Sequence, residues 1–442
     1  MFDVTVAEAS KILNVSVGRV HQLIRTGQLP AEQMAGIWLI DRTSIEARRA
    51  TNPHPGRPSK AKAQEAARYL LMNRTHEVLS FTYDTSTGEF FDADEIIDAS
   101  RAPLSIMSPR GTRASKTALS YWWAHRVIPK ARVGIEAKLA ELGIDDIMNL
   151  PFRSLGLSLS DQYWVKPYGS DVRWEDINFF NNEFAETEAD DWLAEVGLDS
   201  PDNTSDGVLS KRWVCVDGER RLLKGGTLLE QEPFNEVIAT ELFRRLLAPG
   251  EYVPYELLEH HGGWVSSCPN FLTSAEEFIP AYYVRETQPR QPHRNDYRHY
   301  VECCLSLGVA NIEDALGKMI VGDYLMANTD RHWRNFGLIR NVETLEYRVA
   351  PLFDTGSSLW CRVPTRELSW APFTFDTRPF FEDAGRQLRL VDDASWLNCD
   401  KLSDFPEWAA DFLEKNPSMI GRTDFIFEGM QSLVDRVQLL FG

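Results

Sequence analysis

Cysteine is scarce in this 442-residue chain. Its six copies (Cys215, Cys268, Cys303, Cys304, Cys361 and Cys399) lie scattered, without the paired spacing of a zinc site or a disulfide framework. Reduced thiols in a cytoplasm are the simplest expectation. No run of about 18 apolar residues occurs, so no membrane-spanning helix is expected. A basic start leading into an apolar stretch is also missing, so no signal peptide is expected. Cations are outnumbered: 47 Lys and Arg face 65 Asp and Glu, a net charge of −18. That balance argues against a general nucleic-acid binder and makes an anionic membrane an unattractive partner.

What is present is ample core material, 43% hydrophobic residues with 13 Trp and 23 Phe, over a length that predicts two to four domains. The charge is uneven. Residues 1–74 hold 11 Lys and Arg against 6 Asp and Glu, so a small basic head precedes a strongly acidic body.

In the head, Val6, Ala9, Ile12 and Leu13 follow a helical period over Thr5–Leu13. Asn14-Val15-Ser16 makes a turn, with Ser16 placed to cap a second helix from Val17 to Thr26. Val20, Leu23 and Ile24 would face the core, and Arg19, Gln22 and Arg25 would point outward. Gln28–Pro30 and Gly36–Ile40 read as a small hairpin wing, with Asp41 capping a further helix. Over residues 3–50 this resembles the winged helix-turn-helix of excisionase and MerR-like DNA-binding families. That resemblance would put Arg19, Gln22 and Arg25 against bases or phosphates of the major groove. The other reading is a helical docking domain with a solvated polar face. A Pro-rich basic linker follows over 51–65, in which Gly56-Arg57-Pro58 is similar to an AT-hook core, with Arg57 in the minor groove, or is an ordinary solvated linker.

The body carries its chemistry late. Asn328-Thr329-Asp330-Arg331-His332-Trp333-Arg334-Asn335-Phe336-Gly337 precedes an apolar strand, a turn at Asn341–Thr344, a second strand and Pro351-Leu352-Phe353-Asp354. An aspartate, an asparagine five residues on and a second aspartate are the parts that phosphoryl transfer uses. One carboxylate receives the acceptor hydroxyl's proton, while the amide oxygen and the other carboxylate hold magnesium. The order and the Asp-x-x-x-x-Asn spacing match the protein-kinase catalytic loop. Upstream, Lys224 ends an apolar strand, and Glu236 lies beside the buried stripe of a helix spanning Pro233–Leu247, so the two are candidates for the phosphate-binding lysine and its ion-pair partner. Thr204–Lys211 is a loop of one glycine, one lysine and several hydroxyls, whose amides can cradle phosphates, with Ser205, Gly207, Ser210 and Lys211 as the contacts. Glu276–Pro280 reads either as a hinge, with Glu277 and Ile279 presenting backbone groups to adenine, or as an ordinary interlobe linker.

With these residues in place the body is similar to HipA-like serine/threonine kinases, a group best known for bacterial toxins, from about Leu79 to the C-terminus. The resemblance implies Asp330 as catalytic base, Asn335 and Asp354 as magnesium ligands, and Lys224 on the phosphates of ATP. It also implies a protein substrate and an antitoxin or other regulatory partner. Thr204, Ser205 and Ser210 would be candidates for autophosphorylation, which would place negative charge where ATP phosphates sit. The fused DNA-binding module departs from the usual separate antitoxin. Asp330-Arg331-His332 with Asn335 also resembles the phosphoinositide 3/4-kinase loop, so a lipid or small-molecule kinase stays open, as does a transcription regulator with a nucleotide-sensing pseudokinase body.

The expected fold class is α+β: a bilobal protein-kinase-like fold preceded by a small winged helix-turn-helix domain. Its expected parts are 1–50 (winged helix-turn-helix), 51–65 (linker), 66–195 (HipA-like N-terminal subdomain), 196–280 (small lobe) and 281–442 (large lobe).

Overall fold

The computed structural model describes residues 2–13, 15–25, 28–34, 37–51, 66–106, 114–128, 135, 139, 144, 146–184, 201–204, 209–227, 229–260, 262–368 and 373–442. Arg57 and nearly all of the linker, Ser205 and Gly207 lie outside the described residues. The chain divides into two compact units, Met1–Gln64 and Glu65–Gly442.

In the first unit, strands Phe2–Thr5 (β1), Ala31–Met34 (β2) and Ile37–Asp41 (β3) form an antiparallel sheet in the order β1-β3-β2. Against it pack helices Val6–Leu13, Val17–Arg25 and Arg42–Thr51. Thr5 and Glu8 cap the first helix reciprocally, the Thr5 amide donating to Glu8 Oε2 at 2.9 Å and the Glu8 amide to Thr5 Oγ1 at 3.3 Å. The Ser16 hydroxyl accepts the Arg19 amide at 3.2 Å, and Asp41 Oδ2 accepts the Ser44 amide at 3.1 Å. Val4, Ala9, Leu13, Val20, Leu23, Leu29, Ile40 and Ile45 are buried together. The second wing strand lies where the sequence suggests, whereas the first is Ala31–Met34 and begins only after the expected Gln28–Pro30. The strand β1 is an addition: its four residues are too short to show an alternation, and its partner β3 is more than thirty residues away.

Among the described residues, the second unit holds three sheets. Ala66–Asn73 (β4), His76–Asp84 (β5), Glu89–Ile96 (β6) and Tyr163–Pro167 (β7) are ordered β6-β5-β4-β7. Helix Lys116–Ala124 buries Leu119, Trp122 and Trp123 in the same core. This helix ends at Ala124, tied by the Trp123 indole donating to Met148 O at 3.0 Å. Next, Lys211–Val216 (β8), Glu219–Lys224 (β9), Glu256–His260 (β10) and Gly263–Pro269 (β11) are ordered β10-β11-β9-β8. Helix Gln231–Leu246 packs against this sheet, Phe234 meeting Trp264 edge-on at 5.4 Å, and buries Ile238, Leu242 and Phe243 in the largest apolar core, each worth about 1.5–3 kcal/mol of burial. The third sheet joins Glu276–Pro280 (β12), Gly337–Asn341 (β13) and Tyr347–Val349 (β14) in sequence order.

Helices Asp296–Ser306, Ile312–Leu325, Phe405–Leu413 and Thr423–Phe441 share the largest apolar core. Gly337 is required where β13 starts, because a Cβ there would lie 2.1 Å from the Ile279 carbonyl oxygen. Among the described residues no helix is long and apolar enough to cross a membrane.

Candidate active site

Helix Ile312–Leu325 delivers the chain to the polar segment. Met326 closes it, and Ala327 turns the chain in the left-handed region at φ 47°. Asn328, fully buried, then acts as a bracket: its amide nitrogen donates to Asp323 Oδ1 at 2.8 Å and its Oδ1 accepts the Asp330 amide at 3.0 Å. Asn335 Nδ2 donates to the Asp330 carbonyl at 3.2 Å, which fixes the distance between those two positions and leaves the Asn335 amide oxygen available.

Arg331, which the sequence shows only as a member of the Asp330-Arg331-His332 run with no role of its own, is the central strut of the site. Its guanidinium, wholly buried, takes both oxygens of Asp323 at 2.9 Å each and the Asn335 carbonyl at 2.8 Å. It also donates to the Phe353 carbonyl and, at 3.2 Å, to Thr355 Oγ1. One side chain thus ties the Asp330–Asn335 loop to the chain on either side of Asp354. The Thr329 amide adds a further link, donating to Ser357 O at 3.2 Å.

Asp354 itself sits in the left-handed region at φ 58°, a conformation aspartate tolerates better than most residues. Lys224, at the end of β9, forms ion pairs with Glu236 and Asp354 together. Glu236 Oε2 accepts the Thr355 amide at 2.9 Å. Burial alone would push the Lys224 ammonium down, but the charges of Asp354 and Glu236 outweigh it and hold the group above its ordinary range. Burial likewise pushes the Asp354 carboxyl up, and Lys224 and Lys211 outweigh it, so the carboxyl is held well below the usual range. Lys211 pairs with Lys224 across β8 and β9, which explains its reach to Asp354. Polar residues on the Gln231–Leu246 helix grip the same loop. Asn235 Nδ2 donates to the carbonyls of Gly356 and Ser358 at 2.8 Å each, and Gln231 Nε2 to that of Leu359 at 2.9 Å.

A cavity of about 310 Å³ is lined by Lys211, Lys224, Asn335 and Asp354 and by the aromatic group Phe271, Phe278 and Phe353. Phe271 stacks on Phe353 at 5.4 Å, and Phe278 meets it edge-on at 5.3 Å. Residues of the preceding region, among them Leu104, Trp122, Arg126 and Tyr163, also line the cavity, so part of 66–195 shapes this space.

The Glu276–Pro280 segment lines the cavity as a β-strand paired with β13. The Glu277 carboxylate is buried against Arg340 Nε at 2.7 Å and Asn73 Nδ2 at 3.1 Å. Burial pushes its carboxyl up, against the pull of the Arg340 charge. The Phe278 amide is already engaged, donating to Ser160 O at 2.9 Å. Ile279 is buried at the cavity wall. In the Thr204–Lys211 stretch, Thr204 ends a 3-10 turn from Pro201, and the Ser210 carbonyl accepts the Gly225 amide at 3.0 Å. Ser205 and Gly207 lie outside the described residues. In the first unit, Arg19, Gln22 and Arg25 are exposed on the Val17–Arg25 helix, with Arg19 Nη1 donating to Gln22 Oε1 at 2.5 Å.

Residues 4–53 match the family described as a helix-turn-helix domain. The N-terminal unit carries a helix-turn-helix domain. A serine/threonine-protein kinase, CtkA of Helicobacter pylori, is 28% identical over 102 residues, a match covering 22% of this chain and 31% of that protein. The chain therefore spans about a third of the length of the curated relative it matches. Among solved structures, the H. pylori proinflammatory kinase CtkA aligns over 52% of this chain and 95% of its own, at 15% identity and a TM-score of 0.35. The toxin–antitoxin complex of HipA, HipB and operator DNA from Shewanella oneidensis MR-1 includes a chain that aligns over 84% of this one and 98% of its own, at 12% identity and a TM-score of 0.47.

Proposed function

We propose that the Glu65–Gly442 unit is an ATP- and magnesium-dependent kinase that phosphorylates a serine or threonine of another protein, and that the helix-turn-helix unit carries it to DNA. The observation that carries this reading is the buried Lys224 bracketed by Glu236 and Asp354, with Arg331 clamping the Asp330–Asn335 loop against the Phe353–Thr355 backbone. Lys224 and Lys211 bind the phosphates, Glu236 orients Lys224, and the aromatic group at Phe271, Phe278 and Phe353 accepts the base. Asp354 and the free amide oxygen of Asn335 offer hard oxygen donors, the kind that suits magnesium shared with phosphates. Magnesium, when bound, neutralises charge on the triphosphate.

Asp330 receives the proton of the acceptor hydroxyl. The hydroxyl oxygen bonds to the γ-phosphorus, the bond from that phosphorus to the β–γ bridging oxygen breaks, and ADP leaves. The partial match to a serine/threonine kinase supports the substrate class. Exposure of Arg19, Gln22 and Arg25 on one helix of the helix-turn-helix domain supports a DNA partner. Incubation of the purified chain with γ-labelled ATP, magnesium and a bacterial extract tests the reading. Label on a serine or threonine of this chain or of an extract protein supports it, and nucleotide binding without any transfer supports a nucleotide-sensing regulator instead.

A further inference from the structure

Two exposed arginines converge on Asp330 from the chain beyond Asp354. Arg362 Nη2 donates to Asp330 Oδ2 at 2.9 Å and to Ser357 Oγ at 3.1 Å. Arg378 Nη1 stands 3.7 Å from Asp330 Oδ1. The two arginine side chains are 63% and 62% exposed, whereas Asp330 is 25% exposed. Among the described residues Asp330 is the carboxylate partner of both. Arg362 thus hydrogen-bonds one oxygen of Asp330, and Arg378 stands within ion-pair distance of the other without hydrogen-bonding it, both cations being largely exposed.

We propose that Arg362 and Arg378 are specificity determinants that recognise an anionic group flanking the acceptor hydroxyl, so that the favoured substrate is an acidic segment of a protein. This rests on the kinase reading above. Arg362 covers Asp330 Oδ2, so an acceptor hydroxyl that hydrogen-bonds to this oxygen displaces or shares the Arg362 contact. Ion pairs this exposed are held weakly and exchange readily. A carboxylate on the incoming chain replaces Asp330 as the partner, keeps both arginines neutralised and frees the base in the same movement. A neutral segment frees the base only by leaving a cation unpaired beside it. The remainder of the chain is strongly acidic and would repel such a segment, which makes a local pair of arginines the necessary attraction. A carboxylate and a phosphoryl group already on the substrate share this chemistry.

The test is a positional library of peptides with one central serine or threonine and Glu, phosphoserine, Ala or Lys at each flanking position, assayed for phosphate transfer and, separately, for binding by fluorescence anisotropy. The wild-type chain should bind and phosphorylate peptides with Glu or phosphoserine at one or two flanking positions about tenfold better than the Ala peptides. The ratio of the two anions tells which source fits. In Arg362→Ala/Arg378→Ala that preference should vanish in both assays, and in Arg362→Glu/Arg378→Glu the Lys peptides should become the favoured ones. Equal binding of all peptides by the wild-type chain, or a preference that survives in the double alanine variant, overturns the proposal while transfer to any peptide leaves the kinase reading intact. An anionic preference in binding with no transfer at all retains the recognition and removes the kinase reading.

Discussion

The guanidinium of Arg331 faces the carboxylate of Asp323 in a two-pronged pair, 2.9 Å on each arm, with neither side chain reaching solvent. Asp323 sits on the helix that precedes the polar loop, and Arg331 lies inside that loop. The pair therefore anchors loop to scaffold, and the remaining guanidinium hydrogens hold Asn335, Phe353 and Thr355. Removing one partner strands a buried charge. Arg331→Leu should lower unfolding free energy by about 3–5 kcal/mol. Denaturant titration checks this, and a loss under about 1 kcal/mol would show that the pair is dispensable.

Lys224 has two carboxylates, so its removal should be felt twice. Lys224→Met should abolish tight nucleotide binding and also lower the melting temperature, because Glu236 is left buried without its cation. Adding Glu236→Gln should restore much of the melting temperature but none of the binding. Recovery of both together would place Lys224 outside the nucleotide site.

The pH dependence has a defined sign. The Asp354 carboxyl is held below its ordinary value of 3.8 in the folded chain, so its pairing is stabilising above that value and is lost as pH falls through the folded value. The stability gap between wild type and Asp354→Asn should be constant from about pH 8 to 5 and should narrow only below about pH 4. Thermal unfolding at a series of pH values measures the gap. Narrowing near pH 6 would contradict the assignment.

Cys268 lines the cavity yet should be inert. Burial pushes its thiol up to about 12, against the pull of Lys224, so almost no thiolate exists at neutral pH. Iodoacetamide at about pH 7.5 should leave Cys268 unmodified in the native chain and alkylate it after denaturation. Native labelling of Cys268, read by peptide mass spectrometry, would show the cavity wall opening.

For the helix-turn-helix domain, Arg19→Ala and Arg25→Ala should leave the melting temperature unchanged, since both side chains are exposed. Each should weaken binding to a mixed-sequence DNA duplex and make the salt dependence shallower by about one unit per lost phosphate contact. Unchanged slopes would move the contact face to another surface of the domain.

What the sequence made legible was local. Ser16, Val20 and Leu23 announce a capped, half-buried helix through spacing alone, and Asp330, Asn335 and Asp354 stand out because their separation is short and chemically specific. Lys224 and Glu236 are legible as the end of a strand and one position of a helix, and the fold brings them into an ion pair. Arg331 was not legible: within Asp330-Arg331-His332 a charged residue reads as solvated, and only the partner Asp323, eight residues back on a helix, makes its burial tolerable. Gln231 and Asn235 carried a fainter signal, two amides four apart beside an apolar stripe, which is the spacing of one helix face. The pairing of Glu276–Pro280 with Gly337–Asn341 depends on contacts some sixty residues apart and has no local signature. Arg362 and Arg378 likewise meet Asp330 only through the path of the intervening chain.

The most direct measurement compares nucleotide affinity and phosphate transfer in wild type and Asp330→Asn. The substitution should leave ATP affinity within about twofold and the melting temperature unchanged, while transfer to a serine or threonine acceptor falls by about 10²–10⁴. Transfer at the wild-type rate by Asp330→Asn, with ATP bound equally well, would contradict the assignment of the base and with it the proposed kinase chemistry.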